Sequence, residues 1–285
     1  MNEVQYVILD IFKNVKYLCD LYNIPYYAIG GTCLGAARHK GFIPWDDDID
    51  IAIPINYKSE FEKICNEHLP ENLKLYSYKD CVDNLHIFSK VINVNTAFIE
   101  ESEFNYPERY KGIFIDVMWI SSVPSSKVSQ TIFKHKIIIL SILNYVRKND
   151  IKELPTKKHK FIKMFLNIFN PKLHTNYFTE KWIKLISKYP LGSTEYTGYV
   201  WNQKIKKFIF PMTYFDGTEE LPFEDTFIKC PVKWHEYLTS QFGDYMKCPE
   251  ENNRVSDHSG IIDIHRSYKE YIKNPELIKR WYKKW

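Results

Sequence analysis

The stretch Gly30–Pro54, GGTCLGAARHKGFIPWDDDIDIAIP, opens on a glycine pair and closes on four carboxylates within five residues, Asp46, Asp47, Asp48 and Asp50. Four of the chain's 10 glycines lie in it. Its last part alternates. Successive side chains of a strand face opposite ways, so Asp48, Asp50 and Ala52 share one face and Ile49, Ile51 and Ile53 the other. The isoleucine face predicts a core contact, and the aspartate face predicts a place where negative charge is gathered, with the small Ala52 leaving room beside it. Two residues of strand rise are about 6.6 Å. From that spacing carboxylates converge on one cation, or on a pair of cations about 3.5–4 Å apart. Asp46 and Asp47 then shape the loop.

Upstream, IPYYAI (24–29) reads as a short strand ended by Gly30 and Gly31, and TCLGAAR reads as one or two helical turns after it. Pro44 stops the helix, and Pro54 closes the second strand. Glycines between a strand and a helix let backbone N–H groups approach a phosphate, with the helix N-terminus adding its dipole. Thr32 supplies a hydroxyl donor. Arg38 and Lys40 supply charge, and Arg is suited to bidentate contact with phosphate.

A second stretch, GIFIDVMWI (112–120), is a near-continuous apolar run, as expected of a strand buried on both faces. Asp116 is its one charged residue. A carboxylate in such a strand is costly unless it is paired or bound to a cation. If this strand lies beside 49–53, Asp116 meets Asp48 and Asp50. Three clustered carboxylates repel, and a divalent cation relieves the repulsion. Oxygen-only ligation favours Mg²⁺ or Mn²⁺ over Zn²⁺.

Elsewhere, apolar residues at helical spacing predict a helix over 2–22, and another is expected over 57–68. Strands are expected near 73–78, 85–93 and 112–120. From 127 onward three helical stretches follow, then short strands in FIFPMTYF and LPFEDTFIKCPV, and a helix ending at Gly243. The element order suggests an α+β or α/β fold, with a catalytic core over 1–126 and a mostly helical lobe with short strands over 127–285.

Bulk properties bound the function. Of 285 residues, 45% are hydrophobic and 16% aromatic, which is globular composition. The net charge of +4 is too mild to point to nucleic acid, and it suits an anionic substrate or an approach to an anionic membrane. The basic, aromatic run IKRWYKKW at the C-terminus reads first as an ordinary solvated helix end and second as a contact with a bilayer interface. The N-terminus has no signal-peptide pattern, and KIIILSILNYV is too short to span a bilayer. The six cysteines are scattered without a C-x2-C pair, so neither disulfides nor a zinc site is expected. A cytoplasmic location is expected, with peripheral contact at a membrane.

The strand–GG–helix, the D-h-D strand and the later isolated h-D-h strand together resemble the nucleotidyltransferase-fold superfamily. More narrowly, IGGTCLGAARHKGFIPWDDDIDIAI resembles the signature of the LicD family, which is related to the fukutin proteins. GIFIDVMWI and FEDTFIKCPVKWHEYLTSQFGDYMKCP extend the resemblance, which reaches from about residue 24 to 250 and is thinnest over 127–195. It implies an α+β fold, a nucleotidyltransferase-like mixed sheet flanked by helices with a C-terminal helical lobe. It also implies transfer of a phospho-alcohol, phosphocholine above all, from a CDP-alcohol donor to a sugar hydroxyl of a cell-surface glycan or its membrane-bound precursor, with CMP released. Asp48, Asp50 and Asp116 match the family's metal carboxylates, and Gly30, Gly31 and Arg38 its phosphate-facing motif. Asp116 is the preferred general base, and Lys90 of IFSKVI joins Arg38 in stabilising phosphate charge. A choline head needs an aromatic wall. Trp45 is the first candidate, followed by Tyr106, Tyr110, Trp119 and Trp201. His258 of VSDHSG and Glu224 of PFED are further polar candidates. Two other readings stay open: a nucleotidyltransferase that makes a CDP-alcohol from CTP and releases pyrophosphate, and a non-catalytic partner in glycan assembly.

Overall fold

Ile51 and Ile53 of β2 (Asp50–Pro54) are fully buried, and the strand lies parallel to β6 (Phe114–Val123), with Asp50 directly opposite Asp116. This pairing is the centre of a mixed sheet. β1 (Tyr27–Ala28) flanks β2, while β4 (Ser89–Asn93) and then β3 (Leu73–Tyr76) continue from β6, giving the order β1-β2-β6-β4-β3. β7 (Tyr196–Gly198) pairs with the far half of β6, and β8 (Ile209–Pro211) pairs with β7. All pairings in this sheet other than β2–β6 are antiparallel. The computed structural model describes every residue except 81–84, 101–109, 171, 200, 202–204, 251, 253, 255–259 and 283–285.

Helix α1 (Glu3–Leu21) starts with a reciprocal cap. The Asn2 side chain accepts from Gln5 N–H, and the Gln5 side chain accepts from Asn2 N–H. Its Ile8, Ile11, Phe12, Val15 and Leu18 recur every three or four residues and are buried. Gln5 is buried too, and its Nε2 donates to the carbonyl of Asp46 at 2.9 Å. That bond fixes the acidic loop over the helix.

α2 (Gly30–His39) begins on the glycines and runs 10 residues, longer than the one or two turns expected after them. Gly30 has φ +54°, a conformation that excludes most side chains. The extra length has a cause distant in sequence. The hydroxyl of Tyr237, on α7 (Trp234–Phe242), accepts the Gly30 N–H at 2.8 Å. The helix therefore has a cap that local sequence does not reveal.

α3 (Lys58–His68) falls where it was expected. So do α4 (Lys127–Lys148), α5 (Lys157–Phe169) and α6 (Tyr177–Ile186), which share a small cluster of Val146, Leu154, Leu166 and Phe178. The main core runs from Ile8 to Tyr245 and takes residues from both halves of the chain. β9 (Thr218–Phe223) and β10 (Thr226–Pro231) form a hairpin, so the strand reading of LPFEDTFIKCPV resolves into two strands turning at Glu224. Glu224 has φ +56°, and its carboxylate accepts the Phe42 N–H at 2.9 Å while its own N–H donates to the Lys40 carbonyl. It ties the hairpin to the loop leaving α2. Gly41 lies against it, and a Cβ there, 2.1 Å from Glu224 Oε1, would push the Glu224 side chain off its bond to Phe42.

The sequence reading missed β7, β5 (Ala97–Glu100) and β11 (Gly260–Asp263), the last two of which pair with each other, and helix α8 (Tyr268–Lys273), whereas α9 (Pro275–Tyr282) overlaps the run read as a helix end. Each is short, with too few residues to display a period.

Candidate active site

The sheet places three charged side chains in one row. Asp50 on β2, Asp116 on β6 and Lys90 on β4 stand opposite one another in register, so all three project to the same face. Lys90 Nζ lies 3.3 Å from Asp116 Oδ1. The two strands brought together are the ones whose aspartates were singled out in the sequence. The parallel pairing places the carboxylates side by side, which a stagger of one residue would prevent.

The start of α2 is bound to this row. Ile29 N–H donates to the Asp50 carbonyl, and Asp50 N–H donates to Thr32 Oγ1 at 2.8 Å. Thr32 is buried and spends its hydroxyl on that link between helix and strand. The position a Cβ on Gly30 would take lies 3.6 Å from Asp50 Oδ2, and on Gly31 it would lie 2.8 Å from Asp46 Oδ2. The glycines thus let the carboxylates come close to a helix N-terminus, where anions are favoured.

The electrostatics are those of a crowded acidic cluster that Lys90 offsets only in part. Burial, followed by the charges of Asp48, Asp116 and Asp46, holds the Asp50 carboxyl well above the usual carboxylate range, and Lys90 opposes this. Burial and Asp48 push Asp46 up to about 8. Asp50 Oδ1 is buried without a hydrogen-bond partner among the described residues. An orphaned carboxylate oxygen of this kind fits a cation. No three His, Cys, Asp or Glu side chains among the described residues stand ready to hold one ion. Mg²⁺ does not require that, because it commonly takes one or two carboxylates and completes its shell with water and substrate phosphate oxygens. Asp50 and Asp116 are the residues that would hold it.

Other candidates lie elsewhere. Arg38 is on the last turn of α2, eight residues from Gly30 and so about 12 Å along the axis. Its guanidinium donates to the Tyr245 carbonyl at 2.8 Å and to His39 Nε2 at 2.9 Å. Trp45 packs edge-on against His39, with the Arg254 guanidinium 5.5 Å from its ring. Tyr110 packs against Tyr76 and Tyr268. His258 and Tyr106 lie outside the described residues.

Trp119 and Trp201 belong together. Pairing of β6 with β4 ends at Val117 and pairing with β7 begins at Ser121. Between them lies a cavity of about 210 Å³ lined by six aromatic rings, Phe88, Trp119, Tyr145, Trp182, Tyr199 and Trp201. Trp201 Nε1 donates to the Trp119 carbonyl, and Trp119 Nε1 donates to the Ile87 carbonyl, so both indoles are fixed by backbone. Met118, also in the lining, is two residues from Asp116 and on its face of the strand. Trp119, on the opposite face, lines it too, and none of Asp50, Asp116 or Lys90 does.

Tyr199 joins that cavity to the helix start. Its ring lines the cavity, and its hydroxyl lies 2.6 Å from that of Tyr237, which holds Gly30. Burial pushes both phenols up, so both keep their protons. This pair was not legible in the sequence, where two tyrosines 38 residues apart carry no motif. Phenylalanine at 237 removes the acceptor for the Gly30 N–H, and an unmet polar group costs about 1–3 kcal/mol. Tyr237→Phe should lower the unfolding free energy by that amount in a denaturant titration, while Tyr199→Phe, which leaves Gly30 capped, should cost less.

A profile of the LicD/FKTN/FKRP nucleotidyltransferase domain matches residues 23–170, which span α2, β2 and β6, and the chain belongs to this family. Among curated proteins, it is 29% identical over 266 residues to the lipopolysaccharide cholinephosphotransferase LicD of Haemophilus influenzae, covering 90% of this chain and 96% of that protein. Shorter matches reach uncharacterized proteins of Rickettsia typhi, 42% identical over 55 residues (19% of this chain, 18% of that protein), and of Rickettsia prowazekii, 48% identical over 44 residues (15% and 16%). No helix among the described residues is long and apolar enough to cross a membrane.

Proposed function

We propose that this protein transfers phosphocholine from CDP-choline to a sugar hydroxyl of a surface glycan or its membrane-borne precursor, releasing CMP. The row of Asp50, Asp116 and Lys90 beside the N-terminus of α2 carries the reading. The name of the Haemophilus relative supports the choice of group and acceptor. In the reaction the acceptor oxygen bonds to the phosphorus that bears choline, the bond from that phosphorus to the bridging oxygen breaks, and CMP leaves with that oxygen.

Mg²⁺ or Mn²⁺ held by Asp50 and Asp116 would supply neutralisation of the diphosphate charge. The chain's own residues supply the rest. The Gly30 N–H is held by Tyr237, so the Gly31 N–H donates to a phosphate oxygen beside the side-chain-free Gly30, and Lys90 balances charge on the transferring group. A carboxylate of the cluster, Asp116 or Asp48, accepts the hydroxyl proton. The aromatic cavity takes the trimethylammonium. At about 210 Å³ it is smaller than the roughly 300–1,000 Å³ of pockets for drug-sized ligands, and so suits a headgroup. The core over 1–126 carries the carboxylates, and the part over 127–285 contributes Tyr199, Trp201 and Tyr237.

Incubation with CDP-choline, Mg²⁺ and a lipopolysaccharide acceptor should release CMP and label the glycan. Pyrophosphate release from CTP and phosphocholine, with no CMP formed from CDP-choline, would instead assign a nucleotidyltransferase.

A further inference from the structure

Helix α5 turns its apolar side outward. Phe161, Met164, Phe165, Ile168 and Phe169 fall at i, i+3, i+4, i+7 and i+8, the spacing by which a helix normally faces a core. Here these side chains are 62%, 48%, 48%, 63% and 64% exposed. The opposite side meets the protein: Leu166 is buried and Lys163 Nζ donates to the Arg147 carbonyl at 2.7 Å. On neighbouring α4, Val128, Ile132 and Ile139 are 71%, 52% and 55% exposed and also share one helical face. Scattered apolar residues on a surface need no explanation, whereas a contiguous stripe marks an interaction.

The charge around the stripe identifies its partner. Lys157, Lys158 and Lys160 are exposed in the first turn of α5, and Lys172 lies just beyond its end. No Asp or Glu occurs from Leu154 through Thr179. We propose that α5 docks the protein on an anionic lipid surface, lying in the plane of the interface with its phenylalanines among the acyl chains and its lysines at the phosphates. At 13 residues the helix is about 20 Å long, too short to span a bilayer. A second copy of this chain fits less well, because a two-fold contact through this face brings lysines against lysines. This inference is independent of the chemistry assigned to the carboxylates.

The test is sedimentation of the full chain with lipid vesicles. The protein should bind vesicles of phosphatidylcholine mixed with phosphatidylglycerol, and bind pure phosphatidylcholine about a hundredfold less tightly at low salt. Phe161→Ser with Phe165→Ser should weaken binding at least about tenfold with no change in Tm, since both rings are already exposed. Lys157→Gln, Lys158→Gln and Lys160→Gln together should erase the preference for the anionic vesicles. The proposal is overturned if the wild-type protein shows no such preference, or if the phenylalanine pair binds as tightly as wild type. It is equally overturned by a solution dimer that the same pair dissociates, in a protein that does not bind vesicles.

Discussion

Replacing Asp50 with asparagine is expected to lower kcat at least about a thousandfold while making the metal-free protein more stable. The two effects have one origin. Asp50 sits with its Oδ1 unpartnered beside Asp48, Asp116 and Asp46, and their charges and its own burial hold its carboxyl well above the usual range. A group whose pKa is raised on folding stabilises the fold below its unfolded value and loses that contribution as pH rises through the folded value. Asp46, pushed from 3.8 to about 8, behaves likewise. The metal-free protein should therefore lose stability between about pH 4 and 8, by a few kcal/mol at the upper end. Mg²⁺ should restore most of that loss at pH 8 and little of it near pH 4, where the carboxyls hold protons. Asparagine keeps the backbone bonds to Ile29 and Thr32 and removes one charge, so the variant's pH profile should be flatter and its response to Mg²⁺ smaller. Thermal unfolding across pH, with and without Mg²⁺, reads all of this. A variant that still transfers phosphocholine at the wild-type rate would show that the diphosphate is neutralised elsewhere.

The carboxylate row was legible because its two strands announce themselves differently. Residues 49–53 alternate, and alternation assigns faces. Residues 112–120 do not, and the one carboxylate in an apolar run stands out by its cost. What joins them is register, a property of the assembled sheet, and sequence supplies it only as a condition. Arg38 shows the limit of reading by proximity. It is near Gly30 in sequence, but eight residues of helix carry it to the other end of α2. Asp46 shows the converse: it was read as shaping the loop, and the chain folds it back against Gly31. Tyr199 and Tyr237 were invisible because their role depends on hydroxyls meeting across elements. The stripe on α5 was read as helical, and correctly so, but periodicity does not tell whether an apolar face meets a core or a partner.

The aromatic cavity should make the enzyme discriminate by charge at the alcohol. A donor carrying 3,3-dimethylbutanol has the shape of choline without its cation. Attraction of a desolvated cation to aromatic rings is worth about 2 kcal/mol or more, which is about 30-fold in kcat/KM. CDP-choline should be preferred over the neutral donor by at least that factor. The ring to change is Phe88, because it is half-buried and its removal leaves the core intact. Trp119 already carries Lys58 Nζ at 5.0 Å from its ring and packs on Phe61, so its loss would be felt chiefly as instability. Phe88→Leu preserves apolar contact and removes the ring face. It should raise KM for CDP-choline several-fold, leave the neutral donor nearly unaffected, and so shrink the preference. Trp45→Leu, at the far end of α2 against His39, should leave the preference intact. A wild-type enzyme that used both donors equally would place the choline head outside this cavity. An unchanged preference in Phe88→Leu, together with a loss in Trp45→Leu, would move it to the acidic loop.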